Sequence, residues 1–177
     1  MQRDVLDAVE QIGRRAEIRR VVARGNIILH RLQNPNGLSR GVVIQVAVPA
    51  QTTVELCSTE AQAILSQENC IAIFGSNQTA AEGVLAANAN LNVLGSDAGA
   101  GDVIGVGFDA GSIIKAAVQD GTFIGAVTQS PLMMGYYAIY ALTAAANGQE
   151  LEDVPTDGYW YDSTNMDSEE IAPNLYD

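Results

Sequence analysis

One stretch, VIGVGFDAGSIIKAAVQDGTFIGAVTQSP at residues 103–131, constrains the fold more than any other part of the chain. The unbroken apolar run from Val103 to Phe108 reads as a buried parallel strand that ends in Asp109. Ala110 to Val118 then carries helical spacing at Ile113, Ile114, Ala117 and Val118, with Gly121 placed to stop the helix. A second apolar run, Phe123 to Val127, leads into Thr128-Gln129 and Ser130-Pro131. Strand, helix, strand puts Asp109 and Gln129 at strand carboxyl ends. In open α/β sheets, ligands bind in the crevice beyond those ends. A carboxylate accepts hydroxyl donors and an amide both donates and accepts, so the pair suits a polyol.

The rest of the chain repeats this alternation. Val42 to Val48 is a β-branched strand closed by Pro49, and Thr52 or Thr53 caps a helix reaching about Ser66. Ile71 to Phe74 is a further strand, ended by Ser76-Asn77 and followed by a helix from Thr79 to Ala87. Val93-Leu94 reads as a short strand within a stretch rich in Gly, Asn and Asp. Pro131 opens the longest helix, to about Ala146, and Gly158 to Tyr161 reads as a final strand. Strands alternating with helices predict an α/β fold: a doubly wound parallel sheet forming a single Rossmann-like lobe. Near the start, Val5 to Ile12 has amphipathic helical spacing, Ile18, Val21 and Val22 could line another helix, and NPNG at 34–37 is a strong turn signal.

Charge divides the chain at about residue 40. The first forty residues hold eight arginines against Asp4, Asp7, Glu10 and Glu17, a balance of +4. The remainder sets Lys115 against seventeen acids, −16, and the two sum to the net −12. A strongly acidic body argues against a nucleic-acid partner, and a basic segment at 1–40 reads as a separate unit or an arm for an anionic partner. No apolar run approaches the ~20 residues of a membrane span, and the charged start lacks the pattern of a signal peptide.

Chemistry beyond binding finds little support. With Cys57 in a predicted helix and Cys70 at the start of the next strand, the two are on the order of 20 Å apart at 1.5 Å per residue, too far for a disulfide unless the helix starts after Cys57. Both are expected to be buried thiols, and no metal spacing is present. The single histidine, His30, has no partner residues for a catalytic triad. Gly105 to Ala110 fits G-x-G-x-x-A, but its glycines fall inside a strand and no acid follows about 20 residues on, so no dinucleotide cofactor is expected. The chain reads as a non-enzyme with no cofactor, metal or catalytic residues.

VGFD, a helix, DG, a short strand, then TQ and P resembles the C-terminal half of a type I periplasmic sugar-binding protein, in the ribose/galactose group of ABC-importer receptors. The segment IAIFGSNQTAAEGVLAA at 71–87 is similar to that family's F-x-x-N strand and helix. The resemblance continues through MGYYAIYALTAAANGQE and GYWYDSTNMD, so it covers residues 41–177 and leaves 1–40 poorly matched. It implies that Asn77, Asp109 and Gln129 hydrogen-bond sugar hydroxyls, whereas local capping alone also favours Asn and Asp before helices. A family helix that opens with a sugar-binding arginine corresponds to RDVLDAV, making Arg3 a further candidate. Phe74, Phe108 and Phe123 are expected in the core, and Trp160 at a hinge.

An intact receptor of this family is longer, two-lobed, exported to the periplasm or cell surface, and partnered by an ABC permease. The resemblance therefore implies one lobe, a truncated chain, that binds sugar weakly without the second. The 131–146 helix crosses the hinge in the family and packs on the other lobe; here, apolar on nearly all sides, it either folds back on its own sheet or forms a homodimer or domain-swapped interface. Two other readings share the fold: the ligand-sensing domain of a lactose-repressor-type regulator, and a stand-alone dimerising interaction module.

Overall fold

The structure, a computed structural model, describes residues 26–33 and 39–176, with side chains from Gln45 onward. The expected helix at 5–12, Arg3, the arginines from 14 to 24 and the NPNG turn lie outside the described residues, as does the side chain of His30.

The strands are β1 (Asn26–Gln33), β2 (Ser39–Ala47), β3 (Cys70–Gly75), β4 (Leu94–Gly95), β5 (Val103–Phe108), β6 (Gly125–Gln129) and β7 (Gly158–Tyr161). The helices are α1 (Val54–Leu65), α2 (Gln78–Leu91), α3 (Ser112–Gln119) and α4 (Pro131–Ala146), and a 3₁₀ turn spans Ala172–Asn174. All seven strands form one sheet in the order β2-β1-β3-β5-β6-β7, with β4 paired to β5. Its centre is parallel: β5 pairs in parallel with β3, β4 and β6. The expected α/β lobe is thus present, with antiparallel strands added at both sides.

One of those additions was not anticipated from sequence. β1 lies antiparallel between β2 and β3, pairing Asn26 with Ala47 on one side and with Gly75 on the other. β2 and β3 therefore run in the same direction with an inserted strand between them. The signal was a hairpin: NIILHRLQ and SRGVVIQVA flank the NPNG tetrapeptide. Basic residues on both sides of the short apolar run Ile27 to Leu29 masked its strand character. At the far edge, β7 pairs antiparallel with β6, from Ala126↔Tyr161 to Gln129↔Gly158.

Local chemistry accounts for the helix boundaries. Thr53 caps α1 by accepting from the Leu56 N–H at 3.3 Å, and the buried residues Cys57, Ala61, Ile64 and Leu65 make one stripe. α2 runs further than its apolar spacing predicts because Asn88 sustains its last turn. The Asn88 Oδ1 accepts from Val93 N and Leu94 N, both at 2.9 Å, and Asn92 closes the helix at φ 50°. Gly121, at φ 84°, makes the turn after α3.

Small residues set the spacing between layers. α1 packs along α2, and α2 lies on β3 and β5. A Cβ at Gly75 would fall on the Ala81 backbone, and one at Gly83 would meet Cys57 Cβ at 2.5 Å. The core thereby closes around Ile73, Val84, Ile114, Val118, Phe123 and Tyr161. Phe123 is core as expected, but Phe74 and Phe108 are only half-buried, meeting edge to face at 6.3 Å near the carboxyl ends of β3 and β5. Ile113, expected on the inner face of α3, is mostly exposed, because Ile114, Ala117 and Val118 alone face the sheet.

Two predictions follow from this packing. Gly75→Ala should lower stability by about 1–3 kcal/mol, read from the urea midpoint at unchanged slope, since α2 must lift off the sheet. Cys57 and Cys70 are both buried and neither forms a disulfide. Burial pushes the Cys70 thiol up to about 11 and, together with the Glu60 charge, raises that of Cys57. At pH 8 both are protonated in the fold, so iodoacetamide should leave them unmodified until urea unfolds the chain.

Candidate functional site

Three strands end at the same edge of the sheet, and each delivers one polar residue. β5 ends at Phe108 and the chain turns through Asp109, a non-glycine residue at φ 71°. This left-handed conformation costs on the order of 1 kcal/mol and persists only where surrounding bonds over-determine it. Those bonds are visible. The Asp109 N–H donates to Val127 O at 2.7 Å, and its carbonyl accepts from the Tyr161 hydroxyl at 2.8 Å. Its Oδ2 accepts from the Gln78 N–H at 3.0 Å, and its Oδ1 accepts from Gln129 Nε2 at 2.9 Å. One residue thus ties β5 to β6, β7 and the first turn of α2.

Asp109 and Gln129 are therefore brought together directly. Asn77 joins them through its neighbour, because the Gln78 N–H bonds the aspartate while Asn77 caps α2, its Oδ1 accepting from the Ala80 N–H at 2.9 Å. The capping role that sequence chemistry favours for Asn77 is realised. All three side chains are half-buried. Capacity remains: among the described residues, Asn77 Nδ2 and Gln129 Oε1 take no protein partner, and the Asp109 carboxylate, met by Gln78, Gln129 and the Tyr176 side chain, has up to about four acceptor positions. The result is a crevice edge that offers acceptors and a donor side by side.

Further groups support this edge and were not picked out from sequence. Tyr161, fully buried on β7, has its ionisation pushed well above the ordinary tyrosine range, chiefly by burial, with Tyr176 and Asp109 adding to it. It stays a neutral donor at any ordinary pH. Tyr176 is also raised, by burial first and then by the Asp109 carboxylate, which brings the chain's last described residue to the site. Gly111 leaves room for the Gln78 side-chain amide, which a Cβ there would meet at 2.7 Å and push aside. The signal for Tyr161 was its place on a strand next to β6, but which way it points is settled only by the register Ala126↔Tyr161. Trp160, expected at a hinge, is half-buried and donates from Nε1 to Asp162 Oδ2 at 3.1 Å. Among the described residues no group of three His, Cys, Asp or Glu could hold a metal ion.

An α/β lobe with polar residues gathered at the carboxyl edge of a parallel sheet defines a ligand-binding class of protein. The family described as "periplasmic binding protein domain" matches residues 2–150, and the chain belongs to it. The match begins at residue 2 and so includes the basic segment. Among solved structures, the chain is similar to an "ABC transporter, LacI family transcriptional regulator" from Brachyspira murdochii, at 32% identity and TM-score 0.66, over 75% of this chain and 43% of that one. A solute binding protein of an ABC transporter from Agrobacterium vitis, with bound D-fucose, aligns at 22% identity and TM-score 0.64 over 72% of this chain and 42% of that one. A carbohydrate transporter solute binding protein from Agrobacterium radiobacter, in complex with D-arabinose, aligns at 24% and 0.61, over 70% and 41%. The last two show the shared fold. The chain spans about two fifths of the length of these structures. No curated protein matches it.

The Tyr161 hydroxyl gives a direct check on the construction of the site. Tyr161→Phe should destabilise the lobe by about 1–3 kcal/mol in urea unfolding, because it leaves the Asp109 carbonyl without its buried donor. A loss under a few tenths of a kcal/mol would mean that this bond does not hold the turn.

Proposed function

We propose that this chain is a carbohydrate-binding lobe of an ABC-transporter solute receptor, acting outside the cytoplasm without catalysis, and that Asp109, Asn77 and Gln129 hold sugar hydroxyls. The observation that carries this reading is the Asp109–Gln129 hydrogen bond beside the head of α2. It fixes a carboxylate and an amide side by side while leaving the Gln129 Oε1 without a protein partner among the described residues. A sugar presents neighbouring hydroxyls that donate and accept in turn, and a side-by-side carboxylate and amide answer that pattern. Solute binding proteins with D-fucose and with D-arabinose share the fold, which supports a sugar as the ligand class.

Closure of two lobes around a ligand supplies affinity by surrounding it. A single lobe offers one wall, so binding by this chain alone is weak, and docking to a permease belongs to the complete receptor. The finer points of the reading, the sugar and the permease, rest on this chemistry and on the kinship.

Isothermal calorimetry of the 177-residue chain against a panel of pentoses and hexoses tests it. One sugar should bind, and Asp109→Ala should weaken that binding roughly 10- to 100-fold, the loss of one or two charge-assisted hydrogen bonds. A folded sample that gives no heat with any sugar at millimolar concentration, or binding that survives the substitution, overturns the assignment.

A further inference from the structure

One acceptor position of the Asp109 carboxylate is already taken by a hydroxyl, that of Tyr176. The same hydroxyl accepts from the Ala110 N–H, so its single proton is left for the carboxylate. An O–H donated to a carboxylate is the chemistry that a sugar would bring to the same atoms. Tyr176 is half-buried, and burial, followed by the Asp109 charge, raises its ionisation. It therefore keeps that proton at neutral pH.

Tertiary contacts carry Tyr176 to this place. Ile171 and Asn174 are buried, and Ile171 belongs to the core. Thr128, fully buried on β6, donates to the Asn174 carbonyl at 2.8 Å, and Asn174 Nδ2 donates to the Glu170 carbonyl at 2.9 Å. The segment 171–174 is thereby fixed to the strand that carries Gln129. Beyond it the hold is lighter. The Leu175 N–H, donating to Ala172 O at 3.2 Å, makes the last backbone hydrogen bond among the described residues. Tyr176 itself is kept by its packing at the edge of the core and by its hydroxyl.

A carboxylate offers about four acceptor positions. The Gln78 N–H takes one on Oδ2, Gln129 Nε2 takes one on Oδ1, and Tyr176 takes a third. Two neighbouring sugar hydroxyls that both donate need more room than is left. The Gln78 N–H belongs to the backbone of α2, which is seated on β3, and it cannot withdraw alone. Gln129 is itself required in place to meet a ligand. Tyr176 is the partner whose departure opens a second position without dismantling the site.

We propose that Tyr176 is a further residue of the binding site, a resident hydroxyl on Asp109 that an incoming sugar must displace. The proposal rests on the reading of Asp109 as a sugar-binding carboxylate. Tyr176 lowers the affinity of the lobe by competing for that carboxylate.

Calorimetry of the native chain and of Tyr176→Phe with D-ribose, D-arabinose, D-galactose and D-fucose tests it. Phenylalanine keeps the ring and removes the hydroxyl alone; Tyr176→Leu is the second variant, and far-ultraviolet dichroism checks the fold of both. Tyr176→Phe should bind the preferred sugar about 3- to 10-fold more tightly, the worth of one net hydrogen bond. In native chain labelled with carbon-13 at the tyrosine Cζ, the Tyr176 resonance is the one missing from Tyr176→Phe. It should move with sugar along the calorimetric saturation curve. Without sugar, Asp109→Asn should let Tyr176 titrate at lower pH, because no carboxylate then opposes the phenolate. Equal or weaker binding by both Tyr176 variants overturns the proposal and leaves the sugar reading standing. A Tyr176 resonance that ignores bound sugar, or a titration that Asp109→Asn leaves unchanged, overturns it as well. Binding by neither the native chain nor the variants overturns it together with the sugar reading, whereas binding by the variants alone supports both.

Discussion

The crevice depends on the conformation of a single residue. Asp109 stands at φ 71°, where its carboxylate reaches both Gln129 and the head of α2. A residue in the ordinary extended region would continue the direction of β5 and aim its side chain elsewhere. The strain is held by three elements at once: β6 takes its N–H, β7 donates to its carbonyl through Tyr161, and α2 donates to its carboxylate. Stability and site are thus one network, and a change in any of the three elements is felt at the carboxylate.

That network is possible only because the layers lie close together. Gly75 and Gly83 let α2 settle on β3 and α1 with backbone nearly touching backbone, and Gly111 gives the Gln78 side chain its place. The close seat of α2 brings its first N–H to 3.0 Å from the aspartate. Packing of small residues, which is an energetic matter for the core, is therefore a geometric condition for the site. The tail contributes in the same way. Thr128 donates to the Asn174 carbonyl at 2.8 Å, which anchors the 3₁₀ turn and places Tyr176 near Asp109.

α4 shows the opposite case, an element that local chemistry specifies and tertiary packing barely uses. Proline at its first position and Asn147-Gly148 at its end define it from Pro131 to Ala146, the bounds that the sequence predicts. Its apolar character on nearly all sides was equally legible. Its own packing fixes little of what it faces: among the described residues Ala144 is the one position of α4 that is buried.

Much of the sheet could be read directly from residues. β5 runs from Val103 to Phe108 and β7 from Gly158 to Tyr161, as predicted, because apolar runs bounded by Asp and Gly leave little choice of ends. Asp109 and Gln129 were legible as strand-end residues for the same reason. β1 was not, because a short apolar run among arginines gains its strand character from pairing with β2 and β3, whose partner residues lie outside its own local stretch of chain. The half-buried state of Phe74 and Phe108 was equally hidden, since an apolar run does not say which face of a sheet is covered.

The sequence by itself determined the alternation of strands and helices, the caps and stops, and the three polar residues at strand ends. These follow from side-chain periodicity and backbone preference, which act over a few residues. Only the tertiary structure decided that Asp109 adopts a left-handed turn, that Gln129 and Gln78 converge on it, and that Tyr161 points inward to hold it. Those outcomes need groups as far as 52 residues apart to meet at hydrogen-bond distance, and only the register of the folded sheet fixes such distances.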